Sequence, residues 1–103
     1  MAIFGYGRVS TAQQDTENQR LELEQAGWTF DFWFTDVVSG KTPAMQRKAF
    51  SELLGKIRDD ETLVVAKLDR LGRDAIDVLQ TVRVLSDRGI RVIVHQLGNT
   101  DLT

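Results

Sequence analysis

Residues 62–97, "TLVVAKLDRLGRDAIDVLQTVRVLSDRGIRVIVHQL", decide the fold. "TLVVAKL" at 62–68 is a short apolar run and reads as a buried strand. Ala75, Val78, Leu79, Val82 and Leu85 then recur at helical spacing, and Gly89 is a good stop. "IRVIVHQL" at 90–97 reads as another strand. Between the first strand and the helix lies "KLDRLGRD", 67–74, where Lys67, Arg70 and Arg73 surround Gly72. A surface turn needs polar residues, but not three cations in seven positions.

The same alternation continues toward the N-terminus. "AIFGYGRV" at 2–9 is apolar and β-prone. "TENQRLELEQAG" at 16–27 reads as a helix, with Thr16 and Gln19 at capping-box spacing and Gly27 as its stop. "WTFDFWFTD" at 28–36 alternates, which predicts a strand with Trp28, Phe30, Phe32 and Phe34 on one core face. "VVSGKTPAMQ" at 37–46 is a loop, and "RKAFSELLGKIRD" at 47–59 sets Phe50, Leu53, Leu54 and Ile57 at helical spacing. "GNTDLT" trails off after the last strand. The order β-α-β-α-β-α-β predicts an α/β fold, a mostly parallel four- to five-stranded sheet flanked by helices.

The 103 residues fit one domain, 1–103, and 42% of them are apolar, enough for a core. There is no cysteine, hence no disulfide framework or thiolate metal site. No window has the length or apolarity of a membrane span or a signal peptide, so a cytoplasmic location with no membrane partner is expected. A net charge of −2 argues against binding nucleic acid by charge spread over the whole surface. A phosphate site would have to be a local cluster of cations.

Ligands of parallel α/β sheets sit beyond the carboxyl ends of the strands. That edge holds Arg8 and Ser10, the loop 36–46 with Arg47 after it, and Lys67 to Arg73. Arg70 and Arg73 would share a face if the helix has already begun there. Guanidinium is a permanent, planar cation that matches phosphate oxygens. Several of them around one hydroxyl point to phosphoryl chemistry, with Ser10 as nucleophile and the arginines stabilising charge in the transition state. Ser10 also fits a helix cap, Gln19 a capping box, and Arg70 and Arg73 a solvated helix face. "GYG" at 5–7 lacks the third glycine of a dinucleotide-binding loop, and "SGKT" at 39–42 lacks the first glycine of a P-loop.

"YGRVST" at 6–11, Gln14, "NQ" at 18–19 and "KLDRLGRD" at 67–74 resemble the N-terminal catalytic domain of the serine recombinases, the resolvases and DNA invertases. "DVVSGKTPAMQRKAF" at 36–50 resembles that family's loop and following helix. The resemblance covers essentially the whole chain. It implies that Ser10 attacks a DNA phosphodiester to give a 5′-phosphoseryl intermediate, followed by strand exchange and rejoining without a metal or other cofactor. It implies catalytic roles for Ser10, Arg8, Arg47, Arg70, Arg73 and Asp69, and substrate-binding roles for Tyr6, Gln14, Gln19 and Lys67. DNA is the implied partner, with homodimers and tetramers in the full-length protein. Relatives continue into an oligomerisation helix and a helix-turn-helix domain. A chain ending at Thr103 is therefore expected to be a catalytic core that is inactive alone. The alternatives are a non-catalytic phosphate- or partner-binding module, a truncated remnant of such a domain, and a small phosphohydrolase. A covalent DNA adduct separates the first from a recombinase, and turnover of free phosphoesters marks the last.

Overall fold

The computed structural model of the chain describes residues 1–11 and 16–102. Its strands are β1 (Ile3–Val9), β2 (Phe32–Val37), β3 (Thr62–Val65), β4 (Arg91–Val94) and β5 (Thr100–Asp101). Its α-helices are α1 (Glu17–Gln25), α2 (Lys48–Lys56) and α3 (Ala75–Asp87). The sheet order is β2-β1-β3-β4-β5; the first four strands are parallel and β5 runs antiparallel to β4. The α/β expectation holds. "GNTDLT" does more than trail off, because Gly98 and Asn99 adopt positive φ and turn the chain back to form β5. No described helix is long and apolar enough to cross a membrane.

Side-chain alternation along β1 sorts the core into two layers. Phe4 and Tyr6 face Phe50 and Leu53 of α2 and Val78 and Leu85 of α3. Ile3 faces the other layer, where Leu23 of α1 packs with Phe30, Val64 and Ile93. Two helices end alike, for a reason written in the sequence. Gly27 and Gly89 adopt positive φ, which glycine reaches at no steric cost. The next amide, of Trp28 or Ile90, then returns to the carbonyl of Leu23 or Leu85 at 3.1 and 3.0 Å. In each case the two residues so joined pack in the same layer, completing a Schellman stop.

Several boundaries differ from the sequence reading. Strand β2 begins at Phe32, not Trp28. Asp31 interrupts the alternation: its amide donates to Ile3 O at 2.9 Å, and its carboxylate accepts from Ile3 N at 2.8 Å. The four aromatics therefore do not share a face. Trp28 and Phe30 pack in the α1 layer, whereas the Phe32 and Phe34 rings lie 4.8 and 6.1 Å from that of Phe4. Helix α2 stops at Lys56 because Ile57 turns extended to bury its side chain. Strands β3 and β4 end at Val65 and Val94, before short 3-10 turns at Leu68–Leu71 and His95–Leu97. On α3, Thr81 takes the buried place between Val78 and Leu85, while Ala75 and Leu79 are exposed along an open groove.

The glycines of "GYG" are explained by packing. A Cβ on Gly5 would lie 2.4 Å from Trp33 Cε3 and 2.7 Å from Phe30 Cε1, and one on Gly7 would lie 2.9 Å from Trp33 Cζ2. Overpacking of this kind typically costs about 1–3 kcal/mol. Urea unfolding of Gly5→Ala is expected to show a loss of that size, and an unchanged midpoint would refute this packing of β1 against Trp33.

Candidate active site

The chain leaves β1 through α1 toward β2, and leaves β2 through α2 toward β3 on the other side of β1. Its direction of winding thus reverses between β1 and β3. In open parallel sheets this reversal leaves a crevice at the carboxyl ends of the two strands. Ser10 follows β1, and "KLDRLGRD" follows β3.

Gln19 joins these two segments. Thr16 makes no side-chain cap, so the expected capping box does not form. Instead, Gln19 Nε2 donates to Arg8 O at 2.9 Å, and its Oε1 accepts from Arg8 N at 3.3 Å and from Arg70 Nε at 3.2 Å. One amide so holds the β1 backbone just before Ser10 and the first arginine of the other motif. Gly7 permits this approach, since a Cβ there would already lie 3.1 Å from Gln19 Oε1.

Three arginines gather at this edge. Arg8 donates through Nη1 to Val38 O at 3.0 Å, with Gly40 close beside its guanidinium. Arg70 pairs with Asp69 at 2.7 Å, and its side chain is only 13% exposed, so it is not a freely solvated arginine. Arg47 is fully buried at 0% exposure; Nε donates to Thr42 O at 3.1 Å and Nη1 to Arg70 O at 2.8 Å. Among the described residues, the buried donors Arg8 Nε and Arg47 Nη2 at this edge have no hydrogen-bond partner. Burial lowers the Arg8 pKa, and the neighbouring charges of Arg70 and Arg47 lower it further. Like charges held together in this way favour an incoming anion.

Asp36, which the sequence reading did not single out, anchors the floor of the site. Its carboxylate accepts from Tyr6 Oη at 2.7 Å, Ala49 N at 2.8 Å and Phe50 N at 3.0 Å. The start of α2 therefore already holds an anion, and it is this carboxylate. Arg47 contributes as the capping residue before α2, not through an empty helix end. The available signal was position: Asp36 is an acid on the very edge where the arginines fall.

Arg73 does not share a face with Arg70, because α3 starts only at Ala75. It is exposed and pairs with Asp74 at 3.5 Å. Lys67 and Ser10 are exposed, Ser10 directly after β1. Gln14 lies outside the described residues. Among the described residues, no three His, Cys, Asp or Glu side chains are grouped to hold a metal.

Residues 3–103 match the family profile described as "Resolvase, N terminal domain". The chain is 44% identical to the transposon Tn2501 resolvase of Escherichia coli and 43% identical to the serine recombinase PinR of Escherichia coli strain K12. Each alignment covers 98% of this chain and 53% of the relative, so the chain spans about half the length of the curated relatives it matches. The crystal structure of the N-terminal catalytic domain of TP901-1 integrase superposes with a TM-score of 0.73 at 29% identity, covering 96% of this chain and 79% of that one.

Tyr6 is the chain's single tyrosine, so tyrosinate absorbance reports it alone. Burial, and then the hydrogen bond and charge of Asp36, raise its pKa well above the ordinary value near 10. The folded state thus holds the phenolic proton more tightly than the unfolded chain. That contribution to stability is complete below about pH 10 and is lost as pH rises beyond it. Tyr6 is expected to ionise only as the protein unfolds in alkali, and Tyr6→Phe is expected to flatten the alkaline fall in stability. Ionisation near pH 10 in the folded protein would contradict this geometry.

Proposed function

The chain belongs to the serine recombinases, as one of their resolvase N-terminal catalytic domains, and from this premise we propose that it cleaves and rejoins DNA through Ser10. The Ser10 hydroxyl oxygen attacks the phosphorus of a phosphodiester. A Ser10 O–P bond forms and the bond from phosphorus to the 3′ oxygen breaks. The 3′ oxygen leaves with a proton, and the strand end remains as a 5′-phosphoseryl ester. The ester preserves the bond energy, so attack by a 3′ hydroxyl reverses the step and rejoins DNA without an external energy source.

The observation that carries this reading is the Gln19 bridge, which sets the strand leading to Ser10 against Arg70. Arg8, Arg47 and Arg70 surround the same edge and would stabilise charge growing on the non-bridging oxygens. Guanidinium groups are planar cations suited to such oxygens. Asp69 would orient Arg70, to which it is paired. Arg73, Lys67 and Gln14 are proposed to help bind the DNA substrate. Choice of a DNA site and assembly into dimers and tetramers are proposed for the intact recombinase.

The test is covalent trapping: the intact protein is incubated with supercoiled DNA carrying its recombination site and then denatured with detergent. Wild type is expected to give a DNA–protein adduct, and Ser10→Ala none. Arg70→Ala is expected to slow adduct formation by about a hundredfold or more while costing roughly 1–2 kcal/mol of stability. Binding of DNA with no adduct under any condition would favour a non-catalytic module. Turnover of free phosphoesters would favour a phosphohydrolase.

A further inference from the structure

Helix α3 lies outside the arginine cluster, yet one of its side chains ties together the two loops that supply it. Asp77 Oδ2 accepts from Ala44 N at 3.0 Å and from Arg73 N at 2.8 Å. Ala44 opens the short turn that leads to Arg47, and Ala44 O accepts from Arg47 N at 3.1 Å. Arg47 then crosses back to Arg70 O at 2.8 Å. The bonds close a ring from Asp77 through Ala44, Arg47 and Arg70 to Arg73 and back to Asp77. Two independent side chains, Arg47 from one loop and Asp77 from α3, thus fix the spacing between the loops.

The local sequence is built for this. Asp74 caps α3 by accepting from Asp77 N at 2.8 Å, and Thr81 Oγ1 donates to Asp77 O at 2.9 Å. The turn lies tight against the helix because residue 72 has no side chain: a Cβ there would sit 2.7 Å from Val78 N and 2.8 Å from Asp77 Oδ2. Gly72 is extended, so its role is clearance, not an unusual backbone angle. The Asp-x-x-Asp spacing of 74 and 77 is that of a capping box with Asp at its third helical position. Here the second carboxylate reaches past its own helix to another loop.

We propose that Asp77 is a positioning residue for DNA cleavage: it sets the distance between the Arg47 loop and the Arg70–Arg73 segment, and so the geometry of the arginines around the reacting phosphate. The inference rests on the reading of Ser10 as nucleophile and of these arginines as its phosphate ligands. Removing the carboxylate frees two backbone amides and lets the loops separate. A displacement of about 1 Å in a reacting constellation costs on the order of a hundredfold in rate. Asparagine presents an oxygen in the same place and can accept from both amides.

The experiment compares adduct formation by the intact protein with DNA carrying its recombination site, across a range of DNA concentrations. Asp77→Ala is expected to lower the rate at saturating DNA roughly ten- to a hundredfold and to leave the half-saturating DNA concentration unchanged. Asp77→Asn is expected to restore most of the rate. Val82→Ala weakens the packing of the same helix through an aliphatic side chain that takes no part in the Asp77 bonds, and is expected to lower the unfolding midpoint with a normal rate. Should Asp77→Ala not fold, Gly72→Ala decides, because its methyl group displaces the carboxylate without removing it and is expected to slow cleavage likewise. A normal rate in Asp77→Ala or in Gly72→Ala overturns the inference, as does a rate in Val82→Ala that falls in step with its stability. Absence of an adduct from wild type overturns the Ser10 reading itself, and this inference with it.

Discussion

Guanidinium groups repel one another, and this fold holds three of them at one sheet edge. The repulsion is visible in Arg8, whose pKa is lowered by burial and by the charges of Arg70 and Arg47. Such a cluster persists only where other interactions over-determine it. Arg47 donates to two backbone carbonyls, Arg8 to one, and Arg70 to the Gln19 amide and the Asp69 carboxylate. The hydrophobic layers supply the remainder by fixing β1, β3 and α2 relative to one another. Under the proposed function, charge that is costly in the free protein would become favourable on entry of a phosphate, at a site organised before its ligand arrives.

Two carboxylates divide the work of holding that arrangement. Asp36 joins β1, β2 and α2 beneath the cluster, while Asp77 joins the two loops at its side. Gln19 carries no charge and spans the third boundary, between the end of β1 and Arg70. A neutral amide suits that place, because it donates to a carbonyl and accepts from a cation at once. A carboxylate could make only the accepting bonds.

Much of this was legible in the sequence. Strand–helix alternation gave the parallel sheet, and the carboxyl-edge rule selected Arg8, Arg47 and Arg70, which do converge. Alternation misled at Asp31, where a side chain that bonds the neighbouring strand resets the facing of Trp28 and Phe30. Spacing misled at Gln19, where capping-box geometry was available but Gly7 opened room for a longer-range contact. It misled again at Arg73, because the turn at Leu68–Leu71 ends and Gly72 is extended before α3 begins, so helical spacing does not hold from 70 to 73. Asp36 lay on the edge that the rule selects, but its bonds to Tyr6 Oη and to the amides of α2, like that of Asp77 to Ala44 N, join residues far apart in sequence, which no local spacing announces.

The most direct measurement is of anion-linked stability. A ligand that binds only the folded state raises the unfolding midpoint, and general salt effects cancel when two variants are compared in the same solutions. Unfolding would be followed in inorganic phosphate and in chloride at equal ionic strength, for wild type and for Arg8→Gln. The account predicts that phosphate stabilises wild type beyond chloride, and that this excess shrinks sharply in Arg8→Gln. An equal excess in both proteins, or none in wild type, would contradict a phosphate site at the edge of β1 and β3.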